Sequence, residues 1–230
     1  MNTTVVVTGA AGALGRAVVD VFLAQGASIV AVDLQEAALR GTYGSDTRVR
    51  TVVADLIDPV QSGAALAAAV ADVKGALVLC NIAGGFDMGP PVHETTDVFW
   101  RRLMDMNVGT MVNACRAVVP FMLAAGGGKI VNVAAASAAS GKGAMGAYCA
   151  SKDAVARLTE SMAAELRGRG INVNAVAPTI LDTPANREAM PDADPSNWVA
   201  LSELAGVIEF LASAQANPIH GAVLPVSGLS

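Results

Sequence analysis

Thr8-Gly9-Ala10-Ala11-Gly12-Ala13-Leu14-Gly15 is the stretch whose reading decides the fold. It follows an apolar run at 4–7 and leads into a helical pattern near 14–25. Gly9 permits a tight turn, Gly12 lets the backbone approach a pyrophosphate, and Gly15 lets a helix pack closely on a sheet. A helix that starts here presents free N–H groups and a partial positive charge to phosphate oxygens. Such glycines alone say little. Between a strand and a helix, they predict a dinucleotide-binding turn.

Outward from this turn the pattern repeats. Short β-branched runs at 4–7, 28–32, 50–54, 76–80, 129–133, 172–175 and 222–225 alternate with helical stretches near 14–25, 58–73, 97–125, 147–168 and 199–214. That alternation predicts right-handed βαβ units, hence a Rossmann-type, doubly wound, parallel seven-stranded α/β sheet with helices on both faces. Glycines punctuate the helix–strand joins at Gly26, Gly75, Gly126-Gly127-Gly128, Gly168 and Gly170. No repeat or linker interrupts the chain, so residues 1–230 read as one domain. The least regular stretch, 178–197, holds four prolines and three aspartates. It follows a strand's carboxyl end, where open α/β sheets bind ligands, and 180–197 is expected to form a mobile lid.

Composition narrows the function. The 230 residues are 53% hydrophobic and 15% charged, which fits a buried parallel sheet and excludes a disordered chain. The net charge is −5, and basic groupings such as Arg101-Arg102 and Arg167-Gly168-Arg169 are short. Neither nucleic acid nor an anionic membrane is expected as a partner. Cys80, Cys115 and Cys149 are odd in number and form no CxxC, which predicts buried reduced thiols and a reducing, cytoplasmic setting. No signal-peptide pattern and no apolar run of about 18 residues is present. His93 and His220 lack partners at ligand spacing, so no metal is expected, and Trp100 and Trp198 read as packing residues.

Further residues take up positions that suit a nucleotide. Asp33 ends the second strand, 24 residues after Gly9. A carboxylate there accepts hydrogen bonds from the adenosine ribose and repels a 2′-phosphate, so NAD (NADH) is favoured over NADP. Asp55, after the third strand, is placed to bond adenine. Asn81-Ile82-Ala83-Gly84-Gly85 follows the fourth strand with side chains small enough for close approach. Tyr148 and Lys152 are four residues apart and share a helix face. An ammonium beside a phenol favours the phenolate, moving a pKa of about 10 toward working pH, where the group can exchange a proton with substrate.

With these residues in place, the chain resembles the short-chain dehydrogenase/reductase family over nearly its whole length. The motifs are Thr8-Gly9 through Gly15, Asp55-Leu56, Asn81-Ile82-Ala83-Gly84, Met106-Asn107-Val108-Gly109, Tyr148 with Lys152, Asn172-Val173-Asn174-Ala175, and Pro178 with Thr183. The resemblance implies an oxidoreductase that moves hydride between a nicotinamide and a small carbonyl, alcohol or conjugated ring. It implies Tyr148 as acid/base, Lys152 on the nicotinamide ribose, Asn107 holding a water in a proton relay, and Thr183 on the nicotinamide amide. Ala13, Leu14, Leu56, Ala83, Pro178 and Ile180, with Tyr148 itself, complete the expected cofactor contacts. Phe86, Ala135 and Ser137 are the substrate-side candidates. A dinucleotide sensor without catalysis is the reading from another class, and it would have no need of the Tyr148–Lys152 pair.

There are departures. Ala13 stands where many members have glycine, and Thr179 replaces the glycine after Pro178. The family's serine, thirteen residues before the tyrosine, is here Ala135, with Ser137 and Ser140 out of register. Three explanations stay open: a ring substrate that does not need the hydroxyl, a shifted strand end that brings Ser137 in, or Tyr148 as sole donor to a carbonyl. The segment 181–194 with Trp198, Leu79-Cys80 with Ala83-Gly84-Gly85, and 143–148 also resemble dihydropteridine reductases. Those enzymes reduce a quinonoid ring with NADH and lack the serine, whereas Asn107 matches the carbonyl and alcohol members. The long helical stretches carry apolar faces (Val108, Met111, Val112, Cys115, Val118, Val119; Val155, Leu158, Met162, Leu166) that suit packing on the sheet. The resemblance implies that their outer sides build a homodimer or homotetramer.

Overall fold

The computed structural model describes residues 3–229 and turns each β-branched run into a strand. In chain order the elements are β1 (Thr3–Thr8), α1 (Ala13–Ala24), β2 (Ser28–Asp33), α2 (Glu36–Tyr43), β3 (Val49–Val53), α3 (Pro59–Val70) and β4 (Ala76–Asn81). Then come α4 (Asp97–Met104), α5 (Thr110–Ala124), β5 (Gly128–Val133), α6 (Gly146–Leu166), β6 (Ile171–Pro178), α7 (Pro184–Ala189), α8 (Leu201–Ala212) and β7 (Val223–Val226). The strands form one sheet in the order β3-β2-β1-β4-β5-β6-β7, and every pairing is parallel.

Side-chain alternation sorts the core onto the two faces. Val6 and Val30 face α3, α5 and α6, where Leu66, Leu79, Met122 and Ile130 are fully buried. Val5, Val7 and Ile29 face α1, α2 and α8, where Val18, Leu39, Leu204 and Ile208 are buried. With both faces covered, the central strands read as continuous apolar runs. Strand order reverses at β1: β2 lies on one side and β4 on the other, with Thr8 in register with Val32 and Asn81. The crevice beyond that switch point is where such sheets take ligands.

Four local differences from the sequence reading have physical causes. The helix α2 was not foreseen, because eight residues with only Leu39 and Tyr43 buried carry little periodic signal. The stretch 97–125 is not one helix: a π-helical turn, Asp105–Gly109, separates α4 from α5. The irregular 178–197 contains α7 and a 3₁₀ turn at Pro195–Asn197. The strand β6 continues to Pro178, and Val176 and Ala177 are buried.

All three cysteines are buried and free. Trp198 packs as expected, but Trp100 lies 41% exposed on α4. Met111, Cys115, Val118 and Val155 are buried, while Val108, Val112, Val119, Leu158, Met162 and Leu166 are partly buried against the same core. Among the described residues no helix is long and apolar enough to cross a membrane. No group of His, Cys, Asp and Glu among them is arranged to hold a metal. His93 pairs with Glu94 at the surface, and His220 lies beside the Asn172 amide.

Candidate active site

The glycine turn after β1 is tightly determined. Gly9 takes φ +64°, and a Cβ there would lie 3.0 Å from the Ala83 backbone. A Cβ at Gly15 would overlap the Gly9 carbonyl oxygen and lie 2.8 Å from Ala10 Cα. Gly12 N donates to Gly9 O at 3.1 Å, and Gly12 caps α1 with no side chain in the way. The result is a bare helix N-terminus facing the crevice, the shape that a pyrophosphate fits.

Residues from other elements brace this turn. The Thr8 hydroxyl accepts from Ile82 N (3.0 Å) and Ala83 N (3.1 Å), tying it to the segment after β4. The Tyr43 hydroxyl donates to Ala10 O at 2.7 Å, and burial pushes its pKa up to about 12, so it stays a donor. Ala11 N donates to Asp33 Oδ2 (3.0 Å) and Gln35 N to Asp33 Oδ1 (3.1 Å). Each carboxylate oxygen keeps a second lone pair for a ribose hydroxyl.

Several expected cofactor residues turn out to offer backbone only. The side chains of Leu14 and Leu56 are buried in the two cores. Ala13, the first residue of α1, is exposed. Asn81 is buried and donates to Asn132 Oδ1 at 2.8 Å, and Asn132 donates to the Thr159 hydroxyl at 2.8 Å. That chain straps β4 and β5 to α6. Asn81 Oδ1 is buried and has no hydrogen-bond partner among the described residues. Asp55 Oδ1 accepts from Ile57 N at 2.9 Å.

The reactive groups converge beyond β4 and β5. Gly84, at φ +157°, leaves the space in which a Cβ would sit 2.7 Å from Asn107 Oδ1 and 3.4 Å from Lys152 Nζ. Asn107, in the π-helical turn, is buried; its Oδ1 accepts from Gly85 N (2.9 Å) and its Nδ2 donates to Ser151 Oγ (3.0 Å). Ser151 Oγ in turn donates to Tyr148 O at 2.8 Å. Insertions of this π type recur at functional sites, because they re-aim a helical side chain. Ser151, Asn132, Thr159 and Tyr43 were all missed in the sequence.

Lys152 is buried and donates to Val133 O at 2.9 Å, and burial lowers its pKa from 10.5 to about 8. Tyr148 is half-buried, and burial, with a smaller push from Cys149, raises its pKa to about 12. This corrects the expected lowering of Tyr148 by Lys152. Desolvation is the larger cause, and it disfavours the phenolate. Phe86 sets its ring edge-on to Tyr148, with centroids 4.9 Å apart at 87°.

Ala135 is buried at the exit of β5 and offers only a methyl group. Val133 pairs with Val176, and Ala134 N still donates to Val176 O at 2.8 Å, so the strand leaves without a bulge. That geometry disfavours the shifted strand end that would bring in Ser137. The Ser137 carbonyl is held by Cys149 Sγ at 3.4 Å.

Past β6, Pro178 is buried and Ile180 is 36% exposed. The Thr183 hydroxyl caps α7, accepting from Asn186 N at 3.1 Å. Among the described residues no hydrogen bond joins Asp55, Ile180 or Thr183 to the Tyr148 cluster.

Comparison with known proteins follows the same lines. The profile of the short chain dehydrogenase family matches residues 3–194. The chain is 32% identical to 2-(R)-hydroxypropyl-CoM dehydrogenase of Xanthobacter autotrophicus, over 99% of this chain and 98% of that protein. It is 36% identical to galactitol 2-dehydrogenase of Rhizobium johnstonii, over 96% and 92%. A gluconate 5-dehydrogenase from Burkholderia cenocepacia, solved with NADP and tartrate, superposes with a TM-score of 0.88 at 29% identity, covering 99% of this chain and 94% of that one.

Proposed function

Because the chain belongs to the short-chain dehydrogenase/reductase family, and is thereby an NAD(P)-dependent oxidoreductase, we propose that it interconverts a secondary alcohol and its ketone with NAD(H). The observation that carries this is the single cluster of Gly84, Asn107, Ser151, Lys152 and Tyr148 beside the glycine turn. When bound, the dinucleotide supplies the hydride acceptor or donor at its nicotinamide ring. The chain's own residues do the rest. Gly9, Gly12 and the head of α1 receive the pyrophosphate, and Asp33 bonds the adenosine ribose and repels a 2′-phosphate. Gly84 leaves room for the nicotinamide end, and Lys152 stands behind it.

Tyr148 holds the proton. In ketone reduction the phenol donates to the carbonyl oxygen, and in alcohol oxidation the proton returns from the hydroxyl. Lys152, charged below about pH 8, stabilises the negative charge left on Tyr148. Asn107 and Ser151 fix the head of α6, and so the direction of the phenol. With Ala135 offering no hydroxyl, Tyr148 acts without the family's serine, at a cost of about 10²–10³ in rate if the reaction develops full alkoxide charge.

The same methyl group favours a second reading, hydride transfer to a quinonoid dihydropterin-like ring, where no carbonyl needs polarising. Assays with secondary alcohols, ketones and quinonoid dihydropterin separate the two. The alcohol reading fails if only the pterin is turned over. NADH binding with no turnover of any of them would favour a dinucleotide sensor. The buried thiols fit a cytoplasmic setting. Cofactor choice has its own test. Fluorescence titration is expected to show NADH binding more tightly than NADPH, with the gap narrowing in Asp33→Ala. Tighter NADPH binding would reverse the assignment.

A further inference from the structure

Phe86 is 56% exposed, yet it touches Tyr148 edge-on. The residues around it are pinned. Gly85 N donates to Asn107 Oδ1 at 2.9 Å, and Asp87 pairs with Arg102 on α4. Gly89 N donates to Ala144 O at 2.8 Å, and Ala144 holds φ +59°, a left-handed conformation uncommon for a residue with a side chain. A Cβ at Gly89 would meet the Phe99 ring at 2.6 Å, and one at Gly146 would meet Val92 Cγ2 at 2.6 Å. The segment from Gly85 to Val92 is therefore locked between α4 and the head of α6. An aromatic ring fixed in place but left in water, against the proton-donating phenol, is built for contact with a ligand. At the exit of β5, Ala135 supplies a methyl group where a hydroxyl would have offered a hydrogen bond.

We propose that Phe86 is a specificity-determining residue, and that it selects a secondary alcohol or ketone carried on a ring or similar apolar group over an open-chain polyol. The proposal rests on the dehydrogenase reading above for its chemistry, but its binding claim stands alone. A ring trades water for the Phe86 face and the Ala135 methyl. A polyol would have to strip water from hydroxyls that neither residue can bond.

The test uses the full chain as wild type, Phe86→Ala and Phe86→Leu, with circular dichroism confirming the fold of each. kcat/KM is measured with NAD on cyclohexanol and on sorbitol, and cyclohexanone is titrated calorimetrically into the protein–NADH complex. Wild type is expected to favour cyclohexanol about tenfold or more, and Phe86→Ala to cut that ratio about tenfold and weaken cyclohexanone binding. Phe86→Leu, which keeps apolar surface without the ring, should fall between. A preference for sorbitol, or a ratio unchanged in Phe86→Ala, overturns the proposal. If neither alcohol is turned over, binding decides. Cyclohexanone that binds wild type and is weakened in Phe86→Ala supports Phe86 while the dehydrogenase reading fails. Cyclohexanone that does not bind wild type overturns the proposal as well.

Discussion

Gly15 and Lys152 show what single residues contribute to the site. A methyl group at Gly15 has nowhere to go, because Gly9, whose carbonyl it would strike, is itself held against Ala83. Gly15→Ala is expected to cost about 1–3 kcal/mol of stability through overpacking. It should also weaken NADH binding about tenfold or more, since binding needs the turn as it stands. Wild-type affinity by titration would mean that the turn relaxes freely. Lys152 is a buried cation with a carbonyl for a partner, and its folded pKa of about 8 lies below its ordinary 10.5. Below pH 8 both folded and unfolded chains hold the proton, and the full desolvation cost is present. Between about 8 and 10.5 only the unfolded chain holds it, so this group's contribution to stability rises with pH through that window. Lys152→Met should stabilise the cofactor-free protein at pH 7 by on the order of 3 kcal/mol, with the gain shrinking toward pH 10. Denaturation at both pH values checks this, and a gain that does not change with pH would remove burial as the cause. Gly9 and Gly15 were legible in the sequence because the turn demands glycine there, and Asp33, Tyr148 and Lys152 stood out by the chemistry that the proposed site asks of them. Tyr43 and Ser151 were not, because their roles are set by partners that the fold brings to them. Tyr43 bonds Ala10, 33 positions away, and Ser151 bonds Asn107, 44 positions away.

At the scale of elements, legibility followed burial. The central strands declared themselves as unbroken apolar runs, since both their faces are covered. The helix α2 buries two residues and left almost no trace. The π-helical turn was invisible, because an extra residue in a helical turn changes hydrogen bonding without disturbing composition. The segment 180–197 read as irregular through its prolines, and the structure adds where it is fastened. Asp182 N donates to Val199 O and Val199 N to Ile180 O, both at 2.9 Å, so the two ends of the excursion are stitched together. Between them α7 has no buried residue. Few buried contacts mean low local stability, which suits a lid. Hydrogen exchange should find the amides of Asp182 and Val199 protected in the free protein and those of 185–196 fast. Protection over 185–196 should appear when NADH is added. Full protection over 185–196 in both states would contradict the lid.

At the scale of the molecule, the sheet order places everything that matters on one edge. The reversal at β1 opens the crevice between the turns after β1 and β4, and β5 carries Ala135 to the same side as α6 carries Tyr148. Association is proposed through the outer sides of the long helices, and on α4 Val98 and Trp100 are exposed. Sedimentation should show a dimer or tetramer at micromolar concentration, and monomer alone would overturn that expectation. The proposed chemistry turns on one phenol, that of Tyr148. Rapid mixing of protein, NADH and a panel of ketones at pH 7, followed at the NADH absorbance, measures it directly in wild type and Tyr148→Phe. Ketone-dependent loss of NADH is expected in wild type, with a fall of about 10²–10⁴ in rate in Tyr148→Phe and NADH affinity held within about twofold. Turnover in Tyr148→Phe at the wild-type rate would contradict it.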